Sequence, residues 1–349
     1  MQSQGYFCRV HELTPTRYWV NNPTRAQTAE AILNGAVSCT TNPTYIQKVC
    51  QDPVERDYVT QLIMSMIRDE DNDNTVVEKL QTKLVSNIAE LFKPVFDSSN
   101  GSSGYVSIQG DPFDESAENI ISYGMENATV APNIIPKIPV TPSGLKAIGE
   151  LIQHGIIMLA TEVMSVQQFI DIAELYDAAG RTANIQPLIF AHIAGIFDDY
   201  LHDYVKEHSI DILPDVLWQA GISIMKKIER IKAEHGYRIL SLSGGARGLH
   251  HFTEMVGARS GVTINWSTTS EELLESNPLI IERFAAATPD IVVNELREKI
   301  PVFRKAYDEN GLSSEEYEEY GPVAMFRTQF EHGWVEARNL VAKCRAGQA

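Results

Sequence analysis

Short apolar runs rich in β-branched and aromatic residues alternate along the chain with segments of helical spacing. The runs predict eight strands, at 17–22, 36–40, 105–109, 134–138, 156–161, 187–193, 237–243 and 261–266. Strands that alternate with helices form a parallel sheet, and eight of them close into a (β/α)8 barrel. The competing architecture, an open doubly wound sheet, usually carries a glycine fingerprint after its first strand, which this chain lacks.

Two regions depart from a regular repeat. The interval 43–104 is too long for one loop and one helix, and its helical stretches predict several helices inserted after the second strand. Residues 267–349 are mostly helical in pattern and predict a C-terminal extension packed on the barrel, within a single domain spanning 1–349. A late helix begins near Pro322, and its apolar stripe is typical of core packing: Val323, Phe326, Phe330, Trp334 and Val341.

Composition excludes several classes of partner. A net charge of -17 at pH 7 opposes binding to nucleic acid or to an anionic membrane surface. No run approaches the roughly 18 apolar residues that cross a bilayer, and no leader precedes the first strand, so we expect a cytoplasmic protein. The four cysteines form no Cys-x-x-Cys pair and indicate free thiols. An anionic small molecule remains a suitable ligand if local donors reverse the field.

Lys137 is the first candidate for chemistry because it lies in the apolar run 133–141. On a buried strand the ammonium form loses solvation, so its pKa falls and the neutral amine can attack a carbonyl. The alternative is a lysine whose stem packs while its head reaches solvent. Polar residues also end seven predicted strands, and in a barrel these ends meet at one mouth: Asn21, Asn22, Thr41, Asn42, Gln109, Lys137, Thr161, His192 and the loop 243–248.

The turn at 38–43, the strand 106–109 and the strand 135–141 resemble transaldolases and fructose-6-phosphate aldolases. The resemblance runs with interruptions over 17–266, and the helical tail is similar to that of longer transaldolases. It implies that Lys137 forms a Schiff base with a ketose, breaks a carbon–carbon bond and holds a three-carbon enamine. Asn42 and Thr161 match positions that hold substrate hydroxyls or a catalytic water. The resemblance implies no cofactor and no metal.

The sequence departs from this family at the groups that move protons. The family's carboxylates at the ends of the first and third strands are replaced by Asn21 or Asn22 and by Gln109. Amides do not exchange protons near neutral pH, so we expect the carboxylate relay to be absent. His192 matches a tyrosine that is the proton donor in the fructose-6-phosphate aldolase branch, and it is the candidate acid or base. The alternative is a buried histidine bonded to the backbone.

The loop 243–248 is the candidate anion site. Backbone N–H groups near Ser243 and Gly245, together with the Arg247 guanidinium, suit a phosphate or sulfonate. Arg247 matches a phosphate-binding arginine of the family, whereas the position of a second arginine is occupied by Gly195. The alternative is a tight turn with a surface arginine. We expect no metal at His250-His251 or Asp198-Asp199, because adjacent residues seldom converge on one ion.

Three functions follow from these residues. The first is a transaldolase-like class I aldolase that acts through Lys137 on a ketose or ketose phosphate. The second is a lyase of the fructose-6-phosphate aldolase kind, which needs no sugar acceptor and suits Gln109 and His192. The third is a noncatalytic sugar-phosphate binding protein on the same barrel. In each case the partner is a small sugar or sugar phosphate, and a homo-oligomer is left open.

Overall fold

The computed structural model describes residues 5–180 and 186–348. Each strand pairs in parallel with the next, and the eighth pairs with the first, which confirms the predicted (β/α)8 barrel. The strands are β1 Arg17–Asn21, β2 Ala36–Thr40, β3 Val106–Ile108, β4 Ile134–Pro139, β5 Met158–Val163, β6 Leu188–His192, β7 Leu240–Ser243 and β8 Gly261–Asn265.

The helices cover the outside of the barrel, and they also form the insertion after β2 and the C-terminal extension. They are α1 Tyr6–Leu13, α2 Arg25–Leu33, α3 Tyr45–Val49, α4 Pro53–Met66, α5 Asp73–Ser98, α6 Ala117–Ala128, α7 Pro142–Gln153, α8 Val166–Gly180, α9 Ala194–Glu207, α10 Pro214–Leu217, α11 Ala220–His235, α12 His250–Thr253, α13 Glu271–Ser276, α14 Asp290–Lys299, α15 Pro301–Tyr307 and α16 Gly321–Arg345. The predicted insertion after the second strand is present as α3, α4 and α5.

Strand burial explains why the apolar runs were continuous. Every residue of β2, β4, β5 and β6 is buried, as expected when helices cover a parallel sheet whose other face fills the barrel. β5 is the irregular strand: its pairing with β6 shifts register between Ala160 and Val163, and Glu162 has a φ of 60°. Such a bulge reorients side chains that simple alternation would send to the other face.

The C-terminal helix α16 packs against α3, α4, α5 and α9. A Cβ on Gly333 would lie 2.9 Å from the Thr44 Cα, so glycine permits the close approach of α16 to the turn after β2. Trp334 Nε1 donates to Asn74 Oδ1 at 2.8 Å and anchors α16 to α5. All five residues of the predicted apolar stripe are buried, and two of them, Phe326 and Phe330, also line the cavity at the barrel mouth.

No helix among residues 5–180 and 186–348 is long and apolar enough to cross a membrane.

Candidate active site

The mouth of the barrel encloses a cavity of about 180 Å³, here called the main cavity. Strand ends from both halves of the barrel and three residues of α16 form its wall: Asn21, Asn22, Thr40, Asn42, Thr44, Lys48, Lys137, Leu159, Ala191, Ile193, Ile196, Leu242, Gly245, Arg247, Thr263, Asn265, Phe326, Gln329 and Phe330. Of the predicted strand-end residues, this wall includes Asn21, Asn22, Asn42, Lys137, Gly245 and Arg247, but it does not include Thr41, Gln109, Thr161, His192 or Ser243. The eighth strand also contributes, through Thr263 and Asn265, which the sequence pattern did not predict.

Lys137 lies on β4 and projects into the main cavity, with 7% of its surface exposed. Burial lowers the pKa of the amine to about 8, although the negative charge of Glu162 opposes this shift. The Phe330 ring lies 5.6 Å from Nζ and closes the apolar side of the pocket. A lysine with this pKa has a substantial neutral fraction near neutral pH, which nucleophilic attack on a carbonyl requires.

Glu162 is a buried carboxyl near Lys137 that the sequence reasoning did not identify. Its side chain is fully buried, and Gln109 Nε2 donates to its Oε1 at 3.0 Å. Burial raises the pKa of Glu162, whereas the Gln109 bond and the charges of Lys137 and Arg327 oppose the rise. The two strand-end positions considered in the sequence carry amides, whereas this carboxyl comes from β5. A single acidic residue within the apolar run 156–164 was the available signal, since burying a charge is costly without a specific purpose.

Three buried polar atoms near Glu162 have no hydrogen-bond partner among the described residues: Gln109 Oε1, Thr161 Oγ1 and Glu162 Oε2. Gln109 and Thr161 were both predicted site residues, and both are almost fully buried. Buried polar groups in proteins are normally satisfied, so three unsatisfied atoms in one region are unusual. None of the three residues is part of the wall of the main cavity.

The opposite wall of the main cavity carries an amide network. Asn21 Nδ2 donates to Asn265 Oδ1 at 2.9 Å, and Thr40 Oγ1 donates to Asn21 Oδ1 at 2.9 Å. Asn22 Nδ2 donates to Asn42 Oδ1 at 3.0 Å. These bonds fix the three predicted asparagines in place at the cavity wall, where their remaining donors and acceptors can meet sugar hydroxyls.

Asn42 also stabilises the turn in which it lies. Its Oδ1 accepts from the Thr44 backbone N–H at 3.0 Å and from the Thr44 hydroxyl at 2.6 Å. This is the turn asparagine that the alternative interpretation described, so Asn42 both shapes the turn and lines the cavity.

Two predicted binding residues lie outside the cavity wall. Thr41 is buried and donates its hydroxyl to the Ser107 carbonyl at 2.6 Å, whereas its neighbour Thr40 faces the cavity. Ser243 is buried at the end of β7, and the wall includes Gly245 and Arg247 of the following loop instead. Strand alternation accounts for the exchange of Thr41 for Thr40.

His192 is on β6 but does not face the main cavity. Its Nδ1 lies 2.8 Å from the Val163 carbonyl and its Nε2 lies 3.0 Å from the Gly221 carbonyl on α11. Burial lowers the pKa of His192 to about 4, so the ring is neutral near pH 7 and satisfies one carbonyl at a time. The geometry argues against the predicted acid–base role, because both nitrogens are engaged away from the cavity.

The cavity wall of β6 is shifted by one residue from the expected alignment. Ala191 and Ile193 line the cavity, whereas Phe190 contacts Phe169 on α8 at a ring-centroid distance of 4.8 Å. Leu159 on β5 also lines the cavity. Side chains of a strand alternate between two faces, so a slip of one position exchanges every inward residue for an outward one.

The same shift applies to the position after β6 where the family has its second arginine. Ile196, rather than Gly195, lines the cavity after β6. A Cβ on Gly195 would lie 1.8 Å from the Gly245 carbonyl oxygen, so the loop 243–248 occupies the space that a side chain at this position would need. The glycine is therefore a packing requirement of that loop.

Lys48 supplies a cation that the sequence reasoning did not predict. It extends from α3 into the main cavity, where its Nζ donates to Asn265 Oδ1 at 2.9 Å. Burial lowers the pKa of Lys48 to about 8, and the nearby charge of Arg247 contributes to this shift. Among the described residues no carboxylate lies within ion-pair distance of Lys48, whereas Arg247 is paired through Nε with Asp199. Lys48 and Arg247 together make this wall cationic in a chain of net charge -17.

In the described part of the chain, one cluster has the composition of a metal site: Asp198, His250 and His251. Hydrogen bonds already engage two of its members. His251 Nε2 lies 2.9 Å from Asp198 Oδ2, and the Arg247 backbone N–H donates to His251 Nδ1 at 3.2 Å. Because Nδ1 accepts, Nε2 carries the proton and faces Asp198, which suits a buried hydrogen-bond chain rather than a metal ligand.

The family described as Transaldolase/Fructose-6-phosphate aldolase matches residues 18–312. Transaldolase 2 of Streptomyces avermitilis is 28% identical over 165 residues, covering 46% of this chain and 43% of the relative. The transaldolase of Mycobacterium tuberculosis is 31% identical over 143 residues, covering 40% and 38%. The transaldolase of Saccharopolyspora erythraea is 29% identical over 172 residues, covering 48% and 46%.

The aligned part of the chain thus spans less than half the length of these curated relatives. The family match itself extends through the whole barrel and most of the helical extension. The chain belongs to the transaldolase/fructose-6-phosphate aldolase family.

Proposed function

We propose that this chain is a transaldolase-like class I aldolase in which Lys137 forms a Schiff base with a ketose or ketose phosphate. The observation that carries the proposal is the amine itself: it is buried on a strand end, projects into the main cavity, and has a pKa of about 8. Burial without a permanent ion pair lowers this pKa and leaves a nucleophile near neutral pH.

The reaction proceeds through intermediates that are covalently bound to Lys137. The neutral Nζ attacks the ketose carbonyl, and loss of water leaves an iminium. Removal of the proton from the adjacent hydroxyl then breaks the carbon–carbon bond, and the iminium takes up the electron pair as an enamine. The aldehyde fragment leaves. The enamine then either attacks an acceptor aldehyde, which takes up a proton on its oxygen, or is itself protonated on carbon; both steps regenerate an iminium, and water hydrolyses it to release the product and free Lys137.

Glu162 is the proposed acid–base group in this sequence of steps. It is the buried carboxyl that interacts electrostatically with Lys137, and its Oε2 has no hydrogen-bond partner among the described residues. A carboxyl whose pKa is raised by burial can take a proton from a hydroxyl and return it. Gln109 holds the other oxygen and fixes the side chain. His192 has no part in the proposal.

Lys48 and Arg247 are the residues proposed to bind a terminal phosphate of the substrate. Both line the main cavity, and Lys48 has a neutral partner only, so an anion there gains charge-assisted hydrogen bonds. The substrate's phosphate would displace Asp199 as the partner of Arg247. A sugar phosphate is thus the favoured substrate class.

Borohydride trapping tests the proposal. Wild-type protein, incubated with a panel of ketoses and sugar phosphates and then reduced, should gain the mass of one substrate fragment, and peptide mapping should find it on Lys137. A matched control is Lys146→Arg, because Lys146 is an exposed lysine paired with Glu118. The control should give the same adduct as wild type, whereas Lys137→Arg should give none.

The lyase remains a second candidate, because Gln109 is present and Glu162 can protonate the enamine before water releases it. Product analysis with and without an added aldehyde acceptor separates transfer from cleavage. Binding of sugar phosphates without an adduct in the wild-type protein would favour the noncatalytic alternative.

A further inference from the structure

Two adjacent acids of α9, Asp198 and Asp199, are connected to Arg247 by different routes. Asp199 pairs directly with Arg247 Nε, and these two side chains are 39% and 37% exposed. Asp198 is only 5% exposed and is connected to Arg247 through the buried ring of His251. One helix therefore contacts the Arg247 side chain directly and, by way of His251, its backbone.

The connection through His251 is a chain of hydrogen bonds with a single direction. The Gly221 N–H donates to Asp198 Oδ1 at 2.8 Å, and His251 Nε2 donates to Asp198 Oδ2 at 2.9 Å. The Arg247 N–H donates to His251 Nδ1 at 3.2 Å. Because both oxygens of Asp198 accept, the carboxylate keeps the ring proton on Nε2 and leaves Nδ1 as an acceptor.

This chain fixes the end of the loop 243–248, whereas other bonds fix its start. At the start, the Gly244 N–H donates to the His192 carbonyl at 3.0 Å, and the Gly195 N–H donates to the Gly244 carbonyl at 3.3 Å. At the end, His251 accepts from the Arg247 backbone. A loop held at both ends presents its donors in one arrangement, so less conformational freedom is lost when an anion binds.

We propose that Asp198 and Asp199 act on the anion site in opposite directions. Asp198, through His251, holds the Arg247 backbone in the arrangement that binds an anion, whereas Asp199 competes with the anion for the guanidinium. Neither acid lines the main cavity, so Asp198, Asp199 and His251 are positioning residues. A partly exposed ion pair is weak, so a phosphate held by Arg247 and Lys48 together can displace Asp199.

The inference rests on the anion site of the proposed function but not on the imine at Lys137. Its test therefore uses inorganic phosphate and no ketose. Titration calorimetry measures the Kd of phosphate for the wild-type protein, and Arg247→Ala identifies the heat that comes from this site.

The first comparison is between His251→Gln and Asp199→Asn. Glutamine keeps a donor near the position of Nε2 and loses the acceptor at Nδ1, so phosphate should bind about 5-fold more weakly. Asp199→Asn removes the competing charge, so phosphate should bind about 3-fold more tightly. The matched control is His250→Gln, because His250 Nε2 has no hydrogen-bond partner among the described residues, and its Kd should equal that of wild type.

The second comparison separates a positioning role from a purely structural one. In Asp198→Asn the single amide oxygen can accept from only one donor, so the His251 proton should move to Nδ1 and repel the Arg247 N–H. Phosphate binding should weaken about 5-fold, and 15N NMR of the ring should show the changed tautomer. His251→Asn restores an acceptor near the position of Nδ1 and should bind phosphate as wild type does, even if its unfolding temperature falls.

Phosphate affinities that follow the unfolding temperatures of these variants would overturn the inference. Unchanged affinity in His251→Gln, or unchanged or weaker binding in Asp199→Asn, would also overturn it. Asp199 is at the surface, so Asp199→Asn still decides if His251→Gln does not fold. An adduct on Lys137 in a protein that binds no phosphate would refute this inference and keep the proposed aldolase. The expected phosphate results without an adduct would do the reverse.

Discussion

The two sides of the main cavity differ in the chemistry that we propose for them. On the side of β3, β4 and β5, here called the imine wall, Lys137 lines the cavity, and the buried Glu162 interacts with Lys137 by charge and accepts a hydrogen bond from the buried Gln109. The opposite wall, here called the anion wall, carries Lys48 and Arg247 beside neutral amides. The groups that we propose for covalent chemistry and proton transfer are thus separated from the groups that we propose for anion binding, and we expect a change in one wall to have little effect on the other.

The largest expected effect is on the imine wall. Lys137→Met removes the nucleophile and should lower turnover by about 10³-fold or more, as losses of nucleophiles do in other enzymes. Titration calorimetry with a sugar phosphate should still detect binding through the anion wall. Loss of turnover together with all binding would point instead to collapse of the cavity, which the thermal unfolding temperature would reveal.

Glu162→Gln keeps the size of the side chain and removes its proton exchange. Turnover should fall by about 10²-fold or more, the typical worth of a general acid or base. Borohydride should still trap an adduct on Lys137, because the amine remains. Wild-type turnover in this variant would assign the proton relay to another group, such as a water held by Thr161.

On the anion wall, Arg247→Ala and Lys48→Met should each weaken a phosphorylated ketose by about 2 kcal/mol, or roughly 30-fold in KM, as expected for one charge-assisted hydrogen bond in a partly enclosed site. Neutral ketoses should keep their KM, and kcat should change little. Equal losses for charged and neutral substrates would mean that these residues support the fold rather than hold an anion.

The smallest effect on catalysis is expected for His192→Asn. The substitution removes contacts with the Val163 and Gly221 carbonyls and should lower the free energy of unfolding by about 1–3 kcal/mol. Turnover and its pH profile should remain those of wild type. A loss of turnover of about 10²-fold without loss of stability would restore His192 as the proton donor.

The sequence was sufficient for the barrel, the inserted helices, the C-terminal extension and the strand that carries Lys137. Those predictions depended on periodicity and on local signals such as Thr141, which caps α7 by accepting from the Gly144 N–H. The cytoplasmic location, the single-domain description and the homo-oligomer alternative stay predictions.

The sequence-based predictions failed where they depended on the direction in which a side chain points or on contacts between residues far apart in the sequence. Alternation assigned His192 to the cavity where Ala191 and Ile193 lie, because nothing local fixes the inward face of a strand buried on both sides. Glu162 was missed because a bulge turns it, and bulges leave little trace in sequence. Lys48 was missed because it comes from the inserted helix α3, whose position over the mouth depends on tertiary packing against α16.

The most direct test of the central claim is the pH dependence of imine trapping on Lys137 with a saturating ketose. Since the neutral amine is the nucleophile, the trapping rate should rise with pH and level off above a midpoint near 8, the pKa that burial gives this lysine. In Glu162→Gln the midpoint should move to lower pH, because the negative charge that opposes the shift has been removed. A midpoint near the 10.5 of an ordinary lysine, or an adduct mapped to any other residue, would contradict the account.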